Sequence, residues 1–131
     1  MTEQYLQKTI NREGFRYVDQ SEIDPVLLAV PLGPDDKFVF CGDDGVTGPY
    51  RVDMPNVADC AGVQFTLKMD PGGVAVTVQS AAGNTFDGGG PIVTAAGNSV
   101  VLNGDPPTPP VPPAIVSTPP TNWSIIKVGA P

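Results

Sequence analysis

Glycine or proline interrupts this chain too often for a helical bundle to be built from it. The 131 residues include fifteen glycines and sixteen prolines, and no stretch long enough for several helices escapes them. An average protein carries about 12% of the two together, and chains without fixed structure begin at about 25–30%. Yet 40% of the residues are hydrophobic, so most of the chain can still fold. What remains is short strands joined by turns, within the length of one modest domain.

Composition separates four regions. Residues 2–12, TEQYLQKTINR, are polar, with Tyr5, Leu6 and Ile10 as the only large apolar groups. Leu6 and Ile10 stand one helical turn apart and Thr2 could cap such a helix, but a helix this short is marginal alone. The segment reads instead as an arm that orders against a neighbour and stops at Gly14. Over residues 15–34 the apolar residues alternate irregularly, and 26–30 reads as a short buried strand closed by Pro25 and Pro31. Residues 37–41 are β-prone, and 42–45 read as the turn after them.

Residues 50–104 carry the clearest pattern. Tyr50, Arg51 and Val52 lead in, and 63–69 alternate with period two. Val74, Val76 and Val78 alternate with Ala75, Thr77 and Gln79 in the same way. With Asp70-Pro71-Gly72-Gly73 between them, the two runs read as an antiparallel hairpin. Residues 92–94 and 99–102 are further strands around Gly97-Asn98. The rhythm then breaks, because eight of the sixteen residues 105–120 are proline. Such a run is biased to polyproline II, cannot join the middle of a sheet, and makes a stiff extended strap or exposed loop. Residues 123–128 return as a closing strand.

The expected fold class is therefore all-β: a small antiparallel β-sandwich or barrel-like domain with an N-terminal arm and a proline-rich insertion loop. Residues 1–49 form the arm and attachment region with short strands. Residues 50–131 form the antiparallel β domain, interrupted by the strap 105–120. Its expected core includes Phe65, Leu67, Val76, Trp123 and Ile125.

Charge narrows the choice of partners. Seven basic residues face fourteen acidic ones, a net charge of −7, and Lys8, Arg12, Arg16, Lys37, Arg51, Lys68 and Lys127 form no cluster. Nucleic acid and anionic membrane are poor partners for such a chain. Only 16% of the residues are charged, against about 25–35% for a well-solvated small surface. Either another subunit covers part of the surface, or Ser, Thr, Asn and Gly solvate it. Residues 2–14 do not read as a secretory leader, so Cys41 and Cys60 are expected as buried free thiols. The sequon Asn122-Trp123-Ser124 carries no weight in that setting.

Catalytic chemistry has few residues to use. Without histidine there is no histidine triad, and ordinary proton shuttling near neutral pH loses its usual carrier. Two cysteines nineteen positions apart make no zinc or redox motif. Asp53, Asp59, Asp70 and Asp87 remain as glycosidase-type carboxylates, but each adjoins turn sequence where aspartate normally bonds backbone. Asp43 and Asp44 lack the further oxygen ligands of an EF-hand, so Gly42–Gly45 reads as a solvent-facing turn. An enzyme, a metal and a cofactor are not expected. A carbohydrate-binding face would need several exposed aromatics. Tyr50, Phe86 and Trp123 could serve, yet they read as core.

From Met54-Pro55 onward the sequence resembles a module of tailed-bacteriophage virion proteins, found in capsid decoration, head fibre and tail fibre proteins. Five phrases carry the resemblance in order: Met54-Pro55; Gly62 with Phe65-Thr66-Leu67-Lys68; Gly83-Asn84-Thr85-Phe86-Asp87-Gly88; Gly97-Asn98-Ser99-Val100-Val101-Leu102; and Asn122-Trp123-Ser124-Ile125-Ile126. The proline-rich insertion departs from that pattern. The resemblance implies a structural protein that assembles as a trimer projecting from the particle, and a small thin core agrees with a shared three-fold axis.

The function expected is a phage capsid decoration (cement) protein or short head spike on the virion exterior, assembled in the host cytoplasm. Its partners would be itself and the major capsid protein, gripped through Tyr5, Leu6, Ile10, Phe15 and Tyr17. The alternatives are a short tail fibre, fibre-tip or baseplate protein, and a carbohydrate-binding module; nothing in the residues supports a host surface glycan.

Overall fold

A computed structural model describes residues 15–18, 22–42, 49–71, 74–113 and 115–129. They form a small, mixed all-β domain of two sheets. Its strands are β1 (Phe15–Val18), β2 (Ala29–Pro31), β3 (Phe38–Cys41), β4 (Tyr50–Asp53), β5 (Gln64–Met69), β6 (Val76–Gln79), β7 (Thr85–Phe86), β8 (Ile92–Thr94), β9 (Ser99–Gly104) and β10 (Asn122–Gly129). The larger sheet has the order β1-β3-β5-β9-β10-β7 and the smaller β2-β4-β6-β8.

The first six strands alternate between the sheets and run parallel within each, so residues 15–79 wind as three successive coils. In the larger sheet Phe15 lies beside Phe38, 23 residues on, and Phe38 beside Thr66, another 28 on. In the smaller sheet Ala29 lies beside Arg51, 22 residues on, and Arg51 beside Thr77, another 26 on. The remaining strands close the winding with antiparallel pairs: β8 on β6, β9 on β5 and β10 on β9.

Alternation drives the core, because a pleated strand presents every second side chain to one face. Val30, Val52 and Val78 stack in register on the smaller sheet. Opposite them run Val39, Leu67 and Val100 on the larger one. All six are fully buried, as are Phe65, Val76 and Trp123, while Ile125 packs on this core half-buried. Full burial of one such apolar side chain contributes about 1.5–3 kcal/mol. The Trp123 indole meets Phe65 edge-on at 5.2 Å. Its Nε1 has no acceptor among the described residues, so the ring is held by packing.

Several expectations are corrected. The runs 63–69 and 74–80 are not a hairpin: β5 and β6 lie in different sheets, and the turn between them carries the chain across the core. The sheets are mixed rather than antiparallel. The strand expected at 26–30 starts only at Ala29, because Asp24 Oδ1 accepts from the backbone N–H of Val26 and Leu27 and folds them into an exposed turn. Val18, Val30, Val39 and Cys41, from the region before residue 50, pack in one core with Val52, Leu67 and Leu102. Of the two forms expected of the proline-rich segment, it takes the exposed loop and not the extended strap. It folds back on itself, with Thr108 and Thr118 exchanging two backbone hydrogen bonds of 2.8 and 2.9 Å.

Candidate functional site

The outer face of the larger sheet carries four aromatics, Phe15 and Phe38 exposed and Tyr17 and Phe40 half-buried. Phe15 and Tyr17 on β1 have the parity opposite to buried Val18, and Phe38 and Phe40 on β3 lie directly beside them. The Phe15 and Phe38 rings are 5.2 Å apart and tilted; those of Tyr17 and Phe40 are 5.3 Å apart and nearly parallel, at 12°. Thr66 and Lys68 continue the two rows on β5. Tyr17 lies across Gly42, where a Cβ would stand 2.7 Å from its hydroxyl oxygen. Only glycine leaves room for that ring. None of the six strands of this sheet contains Asp or Glu, whereas they carry Arg16, Lys68 and Lys127.

Arg16 has inward parity and closes the gap between the two sheets at the β1–β2 end. Its Nη1 donates to the Pro31 carbonyl and to Asp36 Oδ2, both at 2.9 Å, and Nε lies 3.6 Å from Glu22. Among the described residues β1 and β2 are the edge strands of their sheets, and this hydrogen-bonded guanidinium bridges them.

A second polar cluster joins distant parts of the sequence. Asn122 Oδ1 accepts from Thr85 Oγ1 at 2.6 Å and from the Gly88 N–H at 2.9 Å, and its Nδ2 donates to Asp105 Oδ2. Asp105 Oδ1 accepts from Ser124 Oγ, and Asp87 Oδ1 from the Ile125 N–H. Asp87 and Gly88 both have positive φ, as the two-residue turn Phe86–Gly89 requires. These side chains satisfy one another, and what they accomplish is to hold β7 against β10.

The carboxylates considered for catalysis sit on separate elements. Asp53 pairs with Arg51 at 2.6 Å on β4, Asp59 lies in a short 3₁₀ turn, Asp70 follows β5, and Asp87 belongs to the cluster above. Among the described residues no three His, Cys, Asp or Glu side chains gather to hold a metal. Asp43 and Asp44 lie outside the described residues, as do Tyr5, Leu6 and Ile10. Tyr50, Phe86 and Trp123 are all buried, so the aromatics considered for a sugar face are core. Phe38 and Phe40 were missed as surface groups, although FVFC repeats the aromatic-x-aromatic spacing of FRYV. Cys41 and Cys60 are buried and unbonded. Burial pushes the Cys41 thiol up to about 12, and burial also raises that of Cys60.

The proline-rich loop leaves the larger sheet between β9 and β10. Val111, Ile115 and Val116 are 71%, 90% and 73% exposed, and residues 106–121 include no charged side chain. Comparison with family models, curated proteins and solved structures finds no match to this chain.

Proposed function

We propose that this protein is a non-enzymatic structural component of a phage virion surface, a capsid decoration protein or short head spike built as a trimer of two-sheet β-sandwich domains. One observation carries the reading. Two of the phrases that resemble the phage module lie 34 or more residues apart, yet Thr85 and Gly88 of one bond Asn122 of the other, and Asp87 bonds Ile125. A chance scatter of weak phrases would have no reason to converge on one cluster. The cluster is internally satisfied, which suits a scaffold better than a reaction site. A carbohydrate-binding role gains little from these aromatics, because Tyr17 and Phe40 are half-buried and turn their ring faces toward each other.

The test is binding of the full chain to purified phage shells that lack tails. Saturable binding to tailless shells is expected. Binding only to particles that carry tails would make this a tail or baseplate protein, and binding to neither would overturn the virion reading. In free solution sedimentation equilibrium should return about 41 kDa, three times the 13.6 kDa of one chain.

A further inference from the structure

Asn103 is the one asparagine of the chain that glycine follows; the other five stand before Arg12, Val57, Thr85, Ser99 and Trp123. An asparagine side chain can be attacked by the amide nitrogen of the next residue, and glycine, without a Cβ, hinders that attack least. In the reaction Gly104 N bonds to Asn103 Cγ and gives up its proton to the departing Nδ2, and the Cγ–Nδ2 bond breaks to release ammonia. The succinimide ring then takes up one water. Opening at the side-chain carbonyl leaves aspartate at position 103. Opening at the main-chain carbonyl leaves isoaspartate, with the backbone rerouted through the side chain. We propose that Asn103–Gly104 is a deamidation site that folding holds closed, and that isoaspartate formed there while the chain is unfolded bars it from folding again.

The fold withholds the nitrogen, not the side chain. Asn103 is half-buried on the outer face of β9, and its Nδ2 donates to the Gly104 carbonyl at 3.3 Å, so the amide is already turned toward Gly104. The Gly104 N–H is engaged elsewhere, donating to the Val63 carbonyl at 2.9 Å. Strand β9 lies inside the larger sheet, with Asn103 opposite Gln64 on β5 and Ser124 on β10. Closing a five-membered ring turns Asn103 out of the extended conformation, and pairing on both sides resists that turn. The reaction therefore waits for β9 to open. The same surroundings reject one product. Isoaspartate adds a methylene to the backbone just before Gly104, whose N–H and carbonyl bond Val63 and Gly62 and which lies too close to the Cys60 carbonyl for even a Cβ. Gly104 is also the partner of fully buried Trp123 in the register of β9 and β10. One extra backbone atom moves this junction out of register. Aspartate leaves the backbone unchanged and puts its charge on the outer face, where water reaches it.

The full chain is incubated with reductant at one mildly alkaline pH, folded in buffer and unfolded in guanidinium chloride, and sampled over time. Peptide mass mapping reads the exchange of NH2 for OH at position 103 and the share of isoaspartate. In guanidinium the reaction should run to completion with isoaspartate as the main product. In buffer it should be slower by about a hundredfold or more, because it needs the opening of β9. On dilution out of denaturant the refolded fraction should fall as isoaspartate accumulates, with isoaspartate confined to the chains that stay unfolded. Asn103→Gln changes a half-buried outer-face position and enlarges the ring that would have to form, so it should refold fully after the same incubation. Freshly unfolded Asn103→Asp should refold too, which separates the added charge from the rerouted backbone. Equal deamidation rates in buffer and guanidinium, or isoaspartate in the refolded fraction, would overturn the proposal. So would Asn103→Gln losing the capacity to refold as fast as the wild type, or fresh Asn103→Asp failing to refold.

Discussion

Gly104 ends β9 pressed against the backbone of Cys60: a Cβ on Gly104 would stand 2.2 Å from the Cys60 carbonyl oxygen. The approach is fixed on both sides, since the Gly104 N–H donates to Val63 and its carbonyl accepts from Gly62. Gly104→Ala must therefore push two backbones apart, and a cost of about 3 kcal/mol or more is expected in a urea melt. Gly62→Ala meets no atom within 4 Å but keeps a φ of +72°, so its cost should be only about 1–2 kcal/mol. Equal costs would show that the close approach is wrong.

Asn122 is the centre of the cluster that fastens β7 to β10. Asn122→Ala removes the partner of Thr85 Oγ1, of the Gly88 N–H and of Asp105 Oδ2, and should cost about 2 kcal/mol or more. Ser124→Ala removes one hydroxyl from the rim of the same cluster and should cost about 1 kcal/mol. Denaturant midpoints of the two variants, compared at unchanged slope, check the order.

Cys41 makes stability depend on alkaline pH. The folded chain keeps this thiol protonated up to about 12, against an ordinary value of 9.0. Between those values the unfolded chain releases a proton that the folded one retains, so stability falls as pH rises, by at most about 1.4 kcal/mol per pH unit. Below pH 9 the effect vanishes. Unfolding midpoints measured from pH 8 to 11 should fall more steeply in the wild type than in Cys41→Ala, and parallel slopes would refute the assignment.

Val76 faces the core and Gln79 does not. Val76→Asp buries an unpaired charge and should cost about 3 kcal/mol or more. Gln79 lies beside Asp53 in the register of β6 on β4, so Gln79→Asp should be the weaker of the two and still lose about 0.5 kcal/mol relative to Gln79→Lys. A thermal melt of the three variants separates burial from cross-strand charge.

Leu28 holds a φ of +52° at an exposed position, with its N–H bonded to Asp24 and its carbonyl to Arg51. Glycine keeps both bonds and removes the steric cost of the left-handed conformation. Leu28→Gly should raise stability by about 1 kcal/mol, where most glycine substitutions lower it.

Residue order alone locates most of the strands and shows which residues face inward. Alternation is a property of the pleat, so Phe65, Leu67, Val76 and Trp123 could be assigned to the core before any neighbour was known. It also placed residues 105–120 outside the sheets, because proline cannot donate to a ladder. What it could not decide was pairing. Residues 63–69 and 74–80 fit a hairpin and a crossing between sheets equally well, since every strand offers the same backbone donors and acceptors. Only burial of Val30, Val52 and Val78 against the opposite sheet selects the winding. The same holds for the four outward aromatics: FRYV and FVFC each show an outward pair, but they become one surface only because β1 and β3 lie side by side in parallel register.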